Sequence, residues 1–158
     1  MIFVTVGNRN PFDRLLKAVD EIAADLPEPV FAQIGPSGYT PANVQWVRGL
    51  TQNQYDRQVR DASLVVAHGA VGAVLCAQKY RKPIVLVPRR PEFGEHATDA
   101  QLAACEQMAD RSGITVVSDL SELPMRMRDP QCSWMAQFQA SGHRDGFADR
   151  LREFMISV

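Results

Sequence analysis

Three loops carry the residues able to do chemistry, and each follows a short apolar run. The first, Gly7-Asn8-Arg9-Asn10, closes the β-branched segment Ile2 to Val6. Backbone amides at the start of a following helix attract phosphate, and Arg9 can add a bidentate contact. The same four residues also suit a tight turn with a solvated arginine. The second loop is His68-Gly69-Ala70-Val71-Gly72. Its small residues let a ligand approach the backbone, or else let a helix pack closely on a strand. His68 at the strand end is either a contact residue or a satisfied histidine. The third loop, Pro88 to Gln101, gathers Arg89, Arg90, Glu92, Glu95, His96, Asp99 and Gln101 around Gly94. So many hydrogen-bonding groups after a buried strand suit sugar hydroxyls and a diphosphate. A solvated loop would be polar too.

The spacing excludes several chemistries. Neither GxGxxG nor the P-loop GxxxxGK[ST] is present, so the usual dinucleotide and ATPase labels fail. Glu95, His96 and Asp99 do not follow HExxH, and no second cluster completes a metal site. Cys76, Cys105 and Cys132 are odd in number and unpatterned, which indicates neither a disulfide framework nor zinc and fits a reducing compartment.

The elements that position these loops alternate. Strands are expected at Ile2 to Val6, Val30 to Ile34, Val44 to Val47 (weaker), Leu64 to Ala67, Ile84 to Val87 and Ile114 to Val117. Helices are expected at Pro11 to Ala24, Asn53 to Ala62, Val71 to Tyr80 and about Thr98 to Asp110. Pro11 suits the first helical turn, where its missing N–H is not needed. Tyr55 and Val59 should face inward. Alternation of this kind implies an α/β fold, a Rossmann-like open parallel sheet of about six strands with helices on both faces. Ligands of such sheets bind beyond the carboxyl ends of the strands, where all three loops would lie.

Length and charge set the outer limits. A chain of 158 residues is one domain by prior, and its 17 basic against 18 acidic residues leave a net charge of −1. That balance gives no nucleic-acid footprint. No apolar run approaches the ~18 residues of a membrane span. The start, MIFVTVGNRN, lacks a basic lead and is expected to be the first strand rather than a signal peptide.

At GNRNPFDRLLKAVDEIA, FAQIGPSGY, VVAHGAVGAVLCAQKYRKPIVLVPRR and GEHATDAQ the chain resembles the donor-binding half of GT-B glycosyltransferases. The type is the lipid II N-acetylglucosaminyltransferase, and more closely the stand-alone donor subunits of two-component N-acetylglucosaminyltransferases and bacterial exopolysaccharide enzymes (glycosyltransferase family 28 C-terminal domain). The resemblance covers about residues 1–120 and implies half of a GT-B fold with a UDP-sugar in the crevice. By matching position, Gly7, Asn8 and Arg9 would sit by the phosphates and the loop with Gly35 and Ser37 would flank the site. Leu50 and Thr51 would offer backbone contacts to uracil, and His68, Gly69, Ala70, Val71 and Gly72 would approach diphosphate and ribose. Arg89 would join the donor site, with Glu95, His96, Asp99 and Gln101 facing the sugar. This sequence departs from the pattern at Asn8, where the family commonly has Thr, and in the HAGxGS turn. Cys76 stands at the ribose-binding glutamate, and Arg81 at a position that is usually glycine.

The resemblance implies a donor subunit whose membrane-anchored partner holds the lipid-linked acceptor and the base, leaving His68 as a weak local candidate. No DxD pair occurs, so transfer without a metal is expected, with no cofactor beyond the UDP-sugar substrate. The expected location is cytoplasmic, at the membrane face through the partner. Two other classes fit the residues: a non-catalytic nucleotide-sugar-binding regulatory subunit, and an unrelated Rossmann-like small-molecule module. Residues 120–158 are expected to form a helical extension, with helices near Cys132 to Gln139 and Arg144 to Met155. Trp134, Met135, Phe138, Phe147, Leu151, Phe154, Met155 and Ile156 are expected to help dock the partner and to favour self-association of the isolated chain.

Overall fold

The computed structural model describes residues 1–128. Helices at Cys132 to Gln139 and Arg144 to Met155 therefore lie outside the described residues, as does the apolar docking face expected there.

Six parallel strands form one sheet: β1 (Ile2–Thr5), β2 (Val30–Gln33), β3 (Gln45–Val47), β4 (Leu64–His68), β5 (Ile84–Val87) and β6 (Ile114–Val116), in the order β3-β2-β1-β4-β5-β6. Helices α1 (Asp13–Ala23), α2 (Gln52–Asp61), α3 (Val71–Lys79) and α4 (Ala100–Met108) connect them, and α5 (Leu123–Arg128) follows β6. Short 3-10 turns lie at Pro91–Phe93 and Leu120–Glu122.

Burial on both faces explains why the strands read as near-continuous apolar runs. Period-two alternation divides each between two cores. Ile2, Val4, Leu64, Val66, Val85 and Val87 pack on the side of α1 and α5. Phe3, Val65, Ala67, Ile84 and Leu86 pack on the side of α2, α3 and α4. Phe3 is fully buried and meets Tyr55 edge-on at 5.5 Å, which confirms the inward placement of Tyr55. Val59 is likewise buried.

One expectation changes. Pro11 is not in the first turn of α1, because Phe12 is the N-cap and the helix starts at Asp13. The Pro11 carbonyl instead accepts a hydrogen bond from Arg89. The segment that follows β6 begins within the core. Leu123 and Met127 of α5 are fully buried in the cluster that holds Leu15 and Leu16.

The strand order reverses between β1 and β4, so the connections leaving these two strands part to opposite sides of the sheet. A crevice opens there at their carboxyl ends. The Gly7 loop follows β1 and the His68–Gly72 turn follows β4.

Candidate functional site

Gly7 and His68 bring the first two loops together. Gly7 has φ +77°, a region that side chains avoid, and a Cβ built on it would lie 2.9 Å from His68 Nε2. Gly35, after β2, has φ +54°, and a Cβ there would lie 2.4 Å from the Gly7 carbonyl oxygen. Three strand ends thus converge on one point with no room for side chains between them.

A hydrogen-bond chain sets the protonation of His68. The Arg89 backbone N–H donates to Gln101 Oε1 at 3.1 Å, which fixes the orientation of that amide. Gln101 Nε2 then faces His68 Nδ1 at 3.3 Å as donor, so Nδ1 is the acceptor and the ring hydrogen sits on Nε2 beside Gly7. Burial, with the Arg89 charge adding to it, pushes the imidazole pKa down to about 3, against the Gln101 bond. His68 is a neutral imidazole whose lone pair is already engaged. It offers an N–H to a ligand and is a poor base.

The Gly7 loop is supported from β2. Thr5 Oγ1 donates to Gln33 Oε1 at 2.8 Å, and Gln33 Nε2 donates to Asn8 Oδ1 at 2.7 Å. Asn8 is exposed, yet its carbonyl oxygen is held. Arg9 is exposed with no hydrogen bond or ion pair among the described residues. Ser37 is buried, and its Oγ accepts from the Phe12 N–H at 3.0 Å and so supports the start of α1.

The third loop divides. Gln101 reaches the crevice through His68. Arg89 is 1% exposed and lies beneath the Gly7 loop. Glu95 forms a bidentate pair with Arg14 of α1 at 2.9 Å and also accepts from the Arg90 N–H. That clamp ties the loop to α1. His96 Nδ1 accepts from the Thr98 N–H at 3.2 Å, and exposed Asp99 is the N-cap of α4, 3.8 Å from Arg90 Nε. Glu95 is therefore engaged inside the protein, whereas His96 and Asp99 stay at the loop surface.

At the second turn, Ala70 is the N-cap of α3 and gives no side-chain cap. The early amides of that helix are open to an anion. Gly72 in this turn has nothing within 4 Å of a built Cβ, so open space lies over it, while Val71 is buried against the sheet. Gly69 is packed: a Cβ there would lie 2.7 Å from Cys105 Sγ, which lets α4 close on the turn. Thr51 caps α2 in a capping box with Gln54, so its N–H and hydroxyl are occupied. The Leu50 N–H and C=O have no partner among the described residues. Cys76 hydrogen-bonds Asp56 at 3.5 Å, and burial together with that carboxylate pushes its thiol up to about 12.

Residues that sequence reasoning passed over include Thr5, Gln33, Arg14 and Asp20. A glutamine in the buried run Val30 to Ile34 was the available signal for Gln33. Asp20 is 4% exposed and accepts from the Tyr39 hydroxyl and the Ala42 and Asn43 N–H groups, fixing the loop that follows Gly35. No cluster of metal-ligating side chains occurs among the described residues. No helix among them is long and apolar enough to cross a membrane.

Solved structures share this fold. The chain is similar to Acinetobacter baumannii MurG, with TM-score 0.62 and 15% identity over 99% of this chain and 49% of that one. It is similar to the glycosyltransferase VinC, solved in complex with dTDP, with TM-score 0.56 and 21% identity over 97% and 36%. ALG13, solved by NMR, matches with TM-score 0.57 and 12% identity over 84% and 85%. The chain spans about two fifths to one half of the full-size glycosyltransferases it matches. Its sheet is one Rossmann-like half of a GT-B fold. No curated protein matches the chain. The model of the glycosyltransferase family 28 C-terminal domain matches residues 1–145, and the chain belongs to that family.

Proposed function

We propose that this chain is the donor-nucleotide-binding subunit of a two-component glycosyltransferase. It would hold a UDP-sugar for transfer to a lipid-linked acceptor in polysaccharide or glycolipid synthesis. The observation that carries this reading is the crevice between β1 and β4. There the Gly7 loop, the His68 N–H and the uncapped start of α3 converge where an anion would lie. The solved ALG13, of which the match covers 85%, supports a domain of this size standing as a chain by itself.

In this mechanism the partner, a membrane-anchored acceptor-binding subunit, supplies the base. It deprotonates the acceptor hydroxyl, which attacks the anomeric carbon while the bond to the UDP oxygen breaks. This chain stabilises charge developing on the leaving diphosphate through backbone amides, Arg9 and the neutral His68 donor. His68 cannot take the proton, since its lone pair is bound to Gln101. No catalytic base is assigned to this chain, and the proposed reaction uses no metal. Recruitment to the cytoplasmic membrane face would come through the partner.

A sugar-transfer assay with purified components tests this. The isolated chain should transfer nothing, and the chain with its partner should transfer sugar from a UDP-sugar. Robust transfer by the chain alone would refute the two-component reading. A nucleotide-sugar-binding regulatory subunit is the second reading. It is favoured by Cys76, whose neutral thiol stands where the resemblance expects a carboxylate. Binding without turnover in the reconstituted pair would select it.

A further inference from the structure

Arg89 is the largest fully buried side chain described, and it has no carboxylate within ion-pair distance. Its Nη2 donates to the Val6 carbonyl at 2.7 Å and the Asn10 carbonyl at 3.0 Å, and its Nη1 donates to the Pro11 carbonyl. The Phe12 ring lies 4.7 Å from the guanidinium carbon. Glu95, whose charge acts on Arg89, has both oxygens on Arg14. Burial lowers the pKa of Arg89, and Glu95 opposes this only at a distance. A buried charge facing carbonyl dipoles alone is expensive unless an opposite charge arrives from somewhere.

The loop above it shows where. The guanidinium holds Val6 at one end and Asn10 and Pro11 at the other, fixing an arch with Gly7, Asn8 and Arg9 between. The Gly7 N–H goes to Thr5 Oγ1 and the Phe12 N–H to Ser37 Oγ. The N–H groups of Asn8, Arg9 and Asn10 have no partner among the described residues, and all three residues are exposed. Three free donors thus sit over a buried cation, next to the His68 N–H. The main chain of Arg89 reaches the same place from the other side, since its N–H orients Gln101 and thereby His68.

Resting on the donor-binding reading above, we infer that Arg89 is a positioning residue for the donor's diphosphate. Its guanidinium shapes the Gly7–Asn10 arch, and its charge is completed only when the diphosphate occupies the far side of that arch. The side chain does not touch the ligand. It acts through the loop carbonyls it holds.

Calorimetry on the full chain with uridine and with UDP tests this, using Arg89→Lys, which keeps the charge but not the three-way fork, and Arg89→Gln, which removes the charge. The wild-type chain should bind UDP at least tenfold more tightly than uridine. Both variants should lose about tenfold or more for UDP while uridine stays within twofold. Equal losses for both ligands would show general damage to the fold and overturn the inference, as would unchanged UDP affinity. A wild-type chain that binds neither ligand would sink the donor-binding reading itself. Should the variants fail to fold, the wild-type chain serves alone. Inorganic pyrophosphate should shift the amide resonances of Asn8, Arg9 and Asn10 and the side-chain Nε of Arg89. Shifts confined to residues 70–73 would overturn it.

Discussion

Gly7 and His68 meet across the carboxyl ends of β1 and β4, with 2.9 Å between His68 Nε2 and the position a Gly7 Cβ would take. A methyl group there would strike the imidazole and strain a left-handed backbone, a conformation costing about 1–2 kcal/mol for a residue with a side chain. Gly7→Ala should lower stability by at least that amount and weaken uridine nucleotide binding. Gly35→Ala should be worse, since its Cβ meets a backbone carbonyl at 2.4 Å that cannot rotate away. Urea unfolding of both variants measures the difference.

His68 makes stability depend on pH. Its pKa is about 3 when folded and 6.5 as a free group, so the unfolded chain binds the extra proton between those values. Stability therefore falls as pH drops through that window, by about 3 kcal/mol from this group at pH 4. Asp20, held low by its hydrogen bonds despite burial, loses its contribution at still lower pH, through its folded pKa below 3.8. Denaturant midpoints from pH 7 to 4 should fall in the wild type and fall less in His68→Gln. Equal slopes would show that His68 is not held neutral.

Gln33 links Thr5 to Asn8 inside the sheet. Gln33→Leu should leave the Asn8 carbonyl without its donor and the Thr5 hydroxyl without its acceptor, lowering stability by about 1–3 kcal/mol. Hydrogen exchange of the Gly7 amide, which bonds Thr5 Oγ1, should accelerate along with it. Unchanged exchange would mean that the loop does not depend on β2.

Arg81 ends α3 at φ 54°, the one residue other than glycine described at positive φ. The Arg81 N–H bonds the Gln78 carbonyl and the Lys82 N–H bonds the Ala77 carbonyl, a Schellman ending that glycine fits best. Arg81→Gly should raise stability by about 1 kcal/mol, read as a higher melting temperature. A lower one would mean that the arginine side chain makes up for its backbone.

The sheet was legible where apolar runs are buried on both faces. Ile84–Val87 appears with the expected bounds, and β4 extends the expected strand by His68. Edge strand β3 was faint because Gln45 and Trp46 are exposed, so its composition carries little signal. Helix α5 was missed as a core element because Pro124 and two arginines hide the pair Leu123 and Met127. For the site, glycines at convergent strand ends were legible as small residues, but the direction of a charged side chain was not. Arg89 and Glu95 belong to one polar loop, yet both turn inward, because α1 brings Arg14, and the segment before it brings the carbonyls of residues 10 and 11, across from far along the chain.

The crevice between β1 and β4 is the proposed site for the nucleotide of a UDP-sugar. Titrating the isotope-labelled full chain with UDP tests it most directly. Amides of Gly7 to Asn10 and of Gly69 to Gly72, with the His68 ring, should shift together and fit one dissociation constant between micromolar and millimolar. A UDP-sugar should compete for the same site. No shifts with any uridine nucleotide, or shifts that avoid both loops, would contradict the account.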